Sequence, residues 1–427
     1  MAGKDQWIKP SGSKGRGRRG GPRIFVRRVA VGALVLVVVL AALSVIQLLR
    51  AVPNPTFQPA ASATSIPGPR PSIAWPAHGE AATEVLGVGS LGRSGGSTPT
   101  QIASVAKMMT ALLVIHQHPL SLGQGGPTLT MTPQDYQIYL QDKNAQDSVM
   151  AIAPGERLDE FQLLEALLIP SADNIATVLA NWDAGSVPAF VAKMNAYAAS
   201  LGLSHTHYGD PSGLTPSTTS IPSNQLQLAG LVLQNPVLAQ IVSQAQATLP
   251  VAGTVYNVDY ALGHDNIVGI KTGSILTGNF VMATQIPVGS NPASASRGEA
   301  VGVSAILDQG GVQPLITALD AGKSMARSLQ AVVRRVSVLR KGETVGQLSV
   351  PGGGTVPVLA GSSVNLLGWG GLSESLTPVL AKQLYGLKAG AKVGTMTVSV
   401  GQQVKVIPLY AGGAIVHPSV MWRLTNP

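Results

Sequence analysis

The sequence has no cysteine, few aromatic residues and little charge. Without cysteine, no disulfide can stabilise the fold, so a hydrophobic core must do this alone. Charged residues make up 11% of the 427 positions, which is low for a cytosolic enzyme, whereas 45% are hydrophobic. The chain is therefore long and apolar enough for two or three domains with a substantial core.

The net charge of +9 is concentrated at the N-terminus. Residues 1–28 carry nine of the 29 lysines and arginines, and Asp5 is the one acidic residue among them. The rest of the chain has nearly equal numbers of basic and acidic residues. This distribution argues against a nucleic-acid-binding protein, so we expect no nucleic-acid partner.

Residues 29–49 form an uncharged hydrophobic run, VAVGALVLVVVLAALSVIQLL. A helix needs about 20 such residues to cross a bilayer. The excess of arginine lies on the N-terminal side, which places the basic tail, residues 1–28, in the cytoplasm and the chain after Arg50 outside. We predict a single-pass anchor in the cell membrane. A cleaved signal peptide, whose apolar region is typically about 7–15 residues, and a buried core helix are the alternatives.

Residues 50–72 contain six prolines among alanines, serines and threonines. This composition is typical of an extended spacer and argues against strand pairing. We predict a linker here, followed by a folded domain over residues 73–335. That domain opens with the alternating strand pattern of residues 83–92 and has helices over about 104–250.

Residues 103–114, ASVAKMMTALLV, place one lysine inside a hydrophobic run that predicts a buried helix. Lys107 follows Ser104 by three residues and so lies on the same face. An ammonium group without hydration favours its neutral form, which can take a proton from a nearby hydroxyl. Ser104, near the positive end of the helix dipole, is therefore a candidate nucleophile. Taken alone the pattern is weak, because Ser11 and Lys14 repeat it in the basic tail.

Two further motifs follow along the chain. Residues 158–182 predict two helices, and Pro170 ends the first pattern before a bend that contains Ser171 and Asp173. A strand pattern near residues 266–272 then ends in K-T-G-S.

Lys271, Thr272, Gly273 and Ser274 make up this last motif. They supply an ammonium group, a hydroxyl, a backbone without a side chain and a free N–H. This set suits the docking of a substrate carboxylate along a strand edge. Further strands near 278–286 and 299–307 and a helix around 313–335 complete the predicted domain.

The order S-x-x-K, S-x-[N/D], K-T-G is the motif set of the penicillin-recognising serine enzymes. With IASVAKMMTALLV, LLEALLIPSADNIATVLANWDAGS, YGDPSGLTP and VGIKTGS, the chain resembles the D-alanyl-D-alanine carboxypeptidases, which are low-molecular-mass penicillin-binding proteins. The resemblance covers roughly residues 73–333. It implies an α/β (α+β) fold, with an antiparallel sheet, flanking helices and a helical subdomain around the active site.

The resemblance also implies catalytic roles. Ser104 would attack the carbonyl of the penultimate D-alanine, and Lys107 would take its proton. Ser171 would relay a proton to the departing D-alanine, and the N–H groups of Ser104 and Ser274 would hold the oxyanion. Water would then hydrolyse the acyl-enzyme without any metal or organic cofactor.

The substrate would bind along the K-T-G strand, where Lys271, Thr272 and Gly273 would hold the terminal carboxylate and pair with the peptide. The implied partners are peptidoglycan stem peptides and β-lactam antibiotics. The sequence departs from the family at Asp173, where S-x-N has asparagine. We expect the adjacent Asn174 to supply the missing amide.

Residues 336–427 have a different character. VGQLSV (345–350) and VGTMTV (393–398) are similar, and each precedes a second alternating segment. This repetition predicts a small C-terminal β domain built from a duplicated hairpin. It contains no catalytic constellation, so spacing or partner contact is its expected role, and a purely structural role is the alternative.

Three other functions compete with this interpretation. Class A β-lactamases share the motifs but, by resemblance, use a glutamate between the second and third motifs, and none lies between Ser171 and Lys271. An inactive hydrolase fold could serve as a wall-binding scaffold. The H-x-H patterns at 116–118 and 205–207 suggest metal ligands, but no carboxylate cluster accompanies them, which favours solvated histidines.

Overall fold

The computed structural model describes residues 22–60, 65–288 and 300–426. Most of the predicted basic tail, including the second S-x-x-K pattern, lies outside the described residues. The described helices are α1 (Pro22–Leu49), α2 (Lys107–Gln117), α3 (Pro133–Asn144), α4 (Glu160–Leu168), α5 (Asp173–Ala184), α6 (Val187–Ser200), α7 (Pro222–Gln234), α8 (Pro236–Val242), α9 (Pro314–Val332) and α10 (Val420–Thr425).

The strands are short in the first half of the chain and longer in the second. They are β1 (Thr56–Pro59), β2 (Glu80–Val85), β3 (Gly89–Ser94), β4 (Thr100–Gln101), β5 (Thr128–Thr130), β6 (Arg157–Asp159), β7 (Thr219–Ser220), β8 (Gln246–Leu249), β9 (Gly253–Tyr256), β10 (Ile267–Ser274), β11 (Gly278–Ile286), β12 (Ala300–Gln309), β13 (Arg334–Leu339), β14 (Thr344–Val350), β15 (Gly354–Ala360), β16 (Val364–Gly368), β17 (Glu374–Leu380), β18 (Lys392–Val400) and β19 (Gln403–Ala411).

The hydrophobic run near the N-terminus forms α1, which begins before the predicted start at residue 29. Arginine is a good helix former, so Arg27 and Arg28 do not end the helix. The most apolar 18 residues within Phe25–Leu49 have a mean hydropathy of 3.1, and none of them is buried. By length and composition, this helix can cross a membrane.

A five-stranded antiparallel sheet in the order β10-β11-β12-β2-β3 forms the centre of the first folded domain. Alternate residues of a strand point to opposite faces. On β11, Phe280 and Met282 pack with α9, whereas Val281 and Ala283 pack with the helical region that contains α2 and α7. The sheet therefore has helices on both faces, and β10 is one of its two edges.

The helical region between β4 and β10 contains α2 to α8, within the predicted 104–250. Short two-stranded ladders that we did not predict, β5 with β6 and β8 with β9, interrupt it. The strands predicted near 266–272, 278–286 and 299–307 correspond to β10, β11 and β12, and the following helix is α9.

Five C-terminal strands and β1, which is near the N-terminus, form a six-stranded sheet in the order β1-β14-β15-β19-β18-β17. The repeated segments are the hairpins β14–β15 and β18–β19, which are joined through β15 and β19. Met396, Val398 and Val400 are buried on one face of β18. Each hairpin thus buries its apolar face in the same core.

The expectation that residues 50–72 pair with no strand is wrong for β1. Thr56–Pro59 pair antiparallel with β14, and Phe57 lies opposite Leu348. β1 is an edge strand, and edge strands tolerate proline because the missing N–H faces outward. The chain after α1 therefore returns directly to the C-terminal sheet.

Candidate active site

Ser104 and Lys107 meet at the start of α2. Ser104 lies in a 3-10 turn, Ala103–Ala106, and Lys107 is the first residue of the α-helix. Side chains three residues apart eclipse one another in a 3-10 turn. The Lys107 Nζ lies 2.8 Å from the Ser104 Oγ. The local backbone thus brings the candidate base to the candidate nucleophile.

Lys107 is fully buried and has three hydrogen-bond acceptors. Besides Ser104, its Nζ donates to Asp173 Oδ1 at 2.5 Å and to the Ser212 carbonyl at 3.2 Å. An ammonium group has three protons, and each has a partner here. The resting arrangement is therefore a buried ion pair in which each ammonium proton has an acceptor.

Asp173 is the first residue of α5 and is held by the loop after α3. Its Oδ2 accepts from the Ser148 N–H at 3.0 Å, and its own N–H donates to the Ser148 carbonyl at 2.7 Å. The N-terminal end of a helix also favours a negative charge. The carboxylate is thus oriented at both oxygens, with one directed at Lys107.

Asn174, the residue predicted to supply an amide to the substrate, pairs with the backbone of Met150. Asn174 is buried, its Oδ1 accepts from the Met150 N–H at 3.0 Å, and its Nδ2 donates to the Met150 carbonyl at 3.0 Å. Successive helical residues are about 100° apart around the axis. Asn174 therefore faces away from Lys107, and its amide is used to hold the chain at Met150.

Ser171 lies in the bend between α4 and α5, two residues before Asp173. It is 4% exposed and has a φ of +64°. A left-handed backbone is costly for a residue with a Cβ, and such residues concentrate at functional sites. Ala103, next to Ser104, has a φ of +47°. Strained backbone thus occurs at Ser171 itself and directly before Ser104.

The K-T-G-S motif occupies the end of β10, as predicted. Lys271 and Thr272 are buried, whereas Ser274 is exposed. A Cβ on Gly273 would lie 2.9 Å from the Ser104 backbone nitrogen and 2.7 Å from the Ile102 carbonyl oxygen. Only glycine lets this edge strand come so close to the turn that carries Ser104.

Burial sets the charge state of Lys271. Its Nζ donates to the Thr272 carbonyl at 3.0 Å. Burial, followed by the positive charge of Lys107, lowers the pKa of Lys271 to about 7, although Asp173 and Asp259 act in the opposite direction. Lys271 can therefore gain or lose a proton near neutral pH.

The loop containing Asp210 completes the site, and we did not predict its role. The Asp210 carboxylate accepts from the Ser212 N–H at 2.8 Å and the Thr215 N–H at 2.8 Å, among other groups of the loop. Burial alone would raise the pKa of Asp210, but these hydrogen bonds lower it to about 2. Because Ser212 offers its carbonyl to Lys107, Asp210 indirectly positions the candidate base.

A close approach holds this loop against the turn that carries Ser104. A Cβ on Gly213 would overlap the Ala103 carbonyl, and Gly213 has a φ of +92°. Thr110 of α2 donates to the Pro211 carbonyl at 2.6 Å. The D-P-S-G stretch is typical of a tight turn, and it lies in YGDPSGLTP, one of the segments that carry the resemblance.

The histidine patterns have local packing partners. His116 stacks on Tyr197, and His118 stacks on Trp182 with its Nε2 3.3 Å from Asp183 Oδ1. Across residues 22–60, 65–288 and 300–426, no group of three or more His, Cys, Asp or Glu side chains is arranged to hold a metal ion.

The sequence comparison decides the family. Residues 93–286 match the family model described as D-alanyl-D-alanine carboxypeptidase. This segment belongs to that family. The predicted resemblance is thereby confirmed, and the matched range contains Ser104, Lys107, Asp173 and the K-T-G motif.

Similar curated proteins share only part of their length with the chain. The D-alanyl-D-alanine carboxypeptidase DacB2 of Mycobacterium tuberculosis is 36% identical over 112 residues, which are 26% of this chain and 38% of that protein. The D-alanyl-D-alanine carboxypeptidase of Streptomyces sp. strain K15 is 26% identical over 194 residues, which cover 42% of this chain and 65% of that protein. The chain thus matches less than two thirds of either family member.

Solved structures with a similar fold include penicillin-binding protein 5 from Haemophilus influenzae, with a TM-score of 0.55, 18% identity and coverage of 82% of this chain and 100% of that one. A peptidoglycan synthesis regulatory factor from Streptococcus pneumoniae has a TM-score of 0.57, 19% identity and coverage of 81% and 100%. At these identities the likeness concerns the fold, and the predicted α/β (α+β) fold class is confirmed.

Proposed function

We propose that this family member is a serine-type D-alanyl-D-alanine carboxypeptidase. It removes the terminal D-alanine from peptidoglycan stem pentapeptides through an acyl-enzyme, and penicillin acylates it. One observation carries the proposal: the Lys107 Nζ lies 2.8 Å from the Ser104 Oγ in a buried position beside the K-T-G strand. This is the arrangement that an activated serine nucleophile needs.

Acylation begins at Ser104, whose Oγ attacks the carbonyl of the penultimate D-alanine. Lys107 in its neutral form takes the hydroxyl proton, so it must first lose the proton that faces Ser104. The ion pair with Asp173 opposes that loss. We therefore expect catalysis to be slower than in a family member with asparagine at this position.

The oxyanion of the tetrahedral intermediate is held by the N–H groups of Ser104 and Ser274. The closeness of Gly273 to the Ser104 nitrogen supports this role, because it brings the two donors to one side of the nucleophile. The N-terminal end of α2 adds a favourable dipole for the developing charge.

The substrate's terminal carboxylate binds to Lys271 and Thr272, and its backbone pairs with the free edge of β10. Ser171 relays a proton to the departing D-alanine nitrogen. A water molecule then hydrolyses the ester between Ser104 and the peptide, and the serine proton is restored. Each of these steps uses only groups of the protein and water.

The cellular location follows from α1. We propose that α1 anchors the protein in the cell membrane, with the basic tail in the cytoplasm and residues 73–335 and 336–427 outside. In this arrangement the catalytic domain reaches the cell wall. The C-terminal β domain then lies between the catalytic domain and the membrane.

The test is the Ser104→Ala variant of the full chain in detergent. With a pentapeptide ending in D-Ala-D-Ala, mass spectrometry should detect no D-alanine release, and a fluorescent penicillin should not label the protein. Ser11→Ala is the matched control, since it removes the serine of the second S-x-x-K pattern and should change neither result. Penicillin labelling of Ser104→Ala would disprove the assigned nucleophile.

A further inference from the structure

The C-terminal helix α10 is attached to the end of α1. The Arg423 guanidinium donates to the Arg50 carbonyl at 2.8 Å and also to the Leu48 carbonyl. The Gln47 Nε2 donates to the Asn426 carbonyl at 3.0 Å. Carbonyls at the C-terminal end of a helix have no partner within it. Arg423 therefore caps α1 from the opposite end of the chain.

The same end of the chain is also fixed to the C-terminal sheet. Trp422 packs over Gly352 in the turn between β14 and β15, where a Cβ would come within 2.8 Å of the indole. Tyr385 stacks on His417 and donates its hydroxyl to the Pro53 carbonyl at 2.7 Å. These contacts connect the sheet, α10 and the first residues after α1.

Four apolar side chains around α10 face outward. We refer to Val416, Val420, Met421 and Leu424 as the apolar pad; Met421 is 70% exposed and Val420 is 63% exposed. Leu424 follows Val420 by four residues and Met421 by three, so the three side chains lie within an arc of about 100° around the short helix. Grouped apolar side chains beside basic residues fit an apolar or interfacial partner.

Building on the proposal that α1 spans the membrane, we infer that the apolar pad lies in the outer surface of the bilayer. The hydrophobic part of α1 ends at Leu49, and Arg423 is bonded to the carbonyls on either side of it. The pad is thereby held where hydrocarbon meets the lipid headgroups. Trp422, Arg423 and Arg50 are residue types that stabilise this zone.

The chain after the anchor then has a different role from that of a spacer. Residues 50–60 do not lift the domain away from the bilayer, because β1 is part of the C-terminal sheet. The six-stranded sheet rests on the lipid surface instead. The height and orientation of the catalytic domain above the membrane are then set by a folded support and not by a flexible tether.

The absence of native cysteine makes a direct test possible. Three single-cysteine variants of the full chain, Met421→Cys, Val38→Cys and Val312→Cys, are labelled with an environment-sensitive fluorophore and reconstituted in phosphatidylglycerol and phosphatidylethanolamine nanodiscs at one copy per disc. Val38 lies within α1, and Val312 is fully exposed beside α9. Quenching is measured with aqueous iodide and with brominated lipid.

The label at Met421 should be quenched by brominated lipid, and its iodide quenching should be about threefold or more weaker than at Val312. Equal iodide quenching at Met421 and Val312, together with quenching of the Val38 label by brominated lipid, would disprove the contact of the apolar pad with the bilayer. The membrane anchor would still be supported. Shielding from iodide without quenching by brominated lipid would mean that protein covers the pad, which also overturns the inference. Iodide access to Val38 would overturn the anchor itself.

Discussion

Asp173 and Lys107 form an ion pair of 2.5 Å in which both side chains are buried. The same Lys107 donates to Ser104 and to the Ser212 carbonyl, so its charged form has a partner for each proton. An asparagine could hold Lys107 without adding a negative charge. The aspartate therefore changes the electrostatics of the base while keeping its position.

Replacing Asp173 by asparagine should speed acylation by about tenfold, which corresponds to about 1.4 kcal/mol. The reason is that it removes the carboxylate charge 2.5 Å from the Lys107 Nζ, which opposes proton transfer from Ser104 to Lys107. Stopped-flow acylation by a chromogenic penicillin measures the rate.

Asp142→Asn is the control for this experiment. Asp142 lies on α3, and its pKa is raised to about 6 by burial and, secondarily, by the charge of Asp173. Its substitution removes a nearby carboxylate without removing a hydrogen bond to Lys107. An Asp173→Asn enzyme that is no faster than wild type at any pH from 6 to 10 would show that the aspartate is adapted to this site.

The parts of the site that depend on local spacing could be predicted from the sequence. Ser104 and Lys107 are one turn apart, so their contact follows from helical geometry. Pro170 and the helical patterns on either side of it located the bend with Ser171, and strand alternation located K-T-G-S at the end of β10. In each case the pattern of neighbouring residues is sufficient to predict the position of the motif.

The parts that depend on distant contacts could not be predicted. Asn174 faces away because α5 begins at Asp173, a boundary that the sequence pattern does not define to one residue. The role of Asp210 depends on a loop that meets Lys107 across more than one hundred residues of chain. β1 could not be predicted because its partner, β14, comes after the whole predicted catalytic domain, residues 73–335.

The Gly273→Ala variant should lose acylation by about 100-fold or more, since small displacements of reacting groups have effects of this size. The added methyl would lie within 3 Å of the Ser104 nitrogen and the Ile102 carbonyl oxygen, which forces β10 away from the nucleophile. Gly310→Ala is the matched control, because no atom lies within 4 Å of its added Cβ. Penicillin labelling rates of the two variants give the comparison, and equal rates would contradict a close approach of β10.

The Asp210→Ala variant should lose about 2 to 3 kcal/mol of unfolding free energy, as expected when a carboxylate that accepts several hydrogen bonds is removed. Acylation should also slow, because the Ser212 carbonyl no longer has a fixed place beside Lys107. Chemical denaturation and penicillin labelling measure the two effects. Asp320→Asn, on the exposed face of α9, should stay within about 0.5 kcal/mol of wild type.

The pH dependence of stability gives a second test of Asp210. Its folded pKa of about 2 is below the ordinary value of 3.8, so the carboxylate stabilises the fold above about pH 4. That contribution should be lost as the pH falls from about 4 to 2, and Asp210→Asn should lack this part of the acid transition. An unchanged acid transition in Asp210→Asn would mean that the loop is held by other groups.

Substrate binding should weaken as the pH rises through about 7, because Lys271 then loses the charge that attracts the terminal carboxylate. A bound carboxylate favours the ammonium form, so the midpoint in the complex should lie higher than in the free protein. KM for a D-Ala-D-Ala peptide should therefore increase above neutral pH. The same peptide with an amidated C-terminus is the control: it should bind weakly with little pH dependence. Equal pH dependence for the acid and the amide would show that Lys271 does not bind the carboxylate.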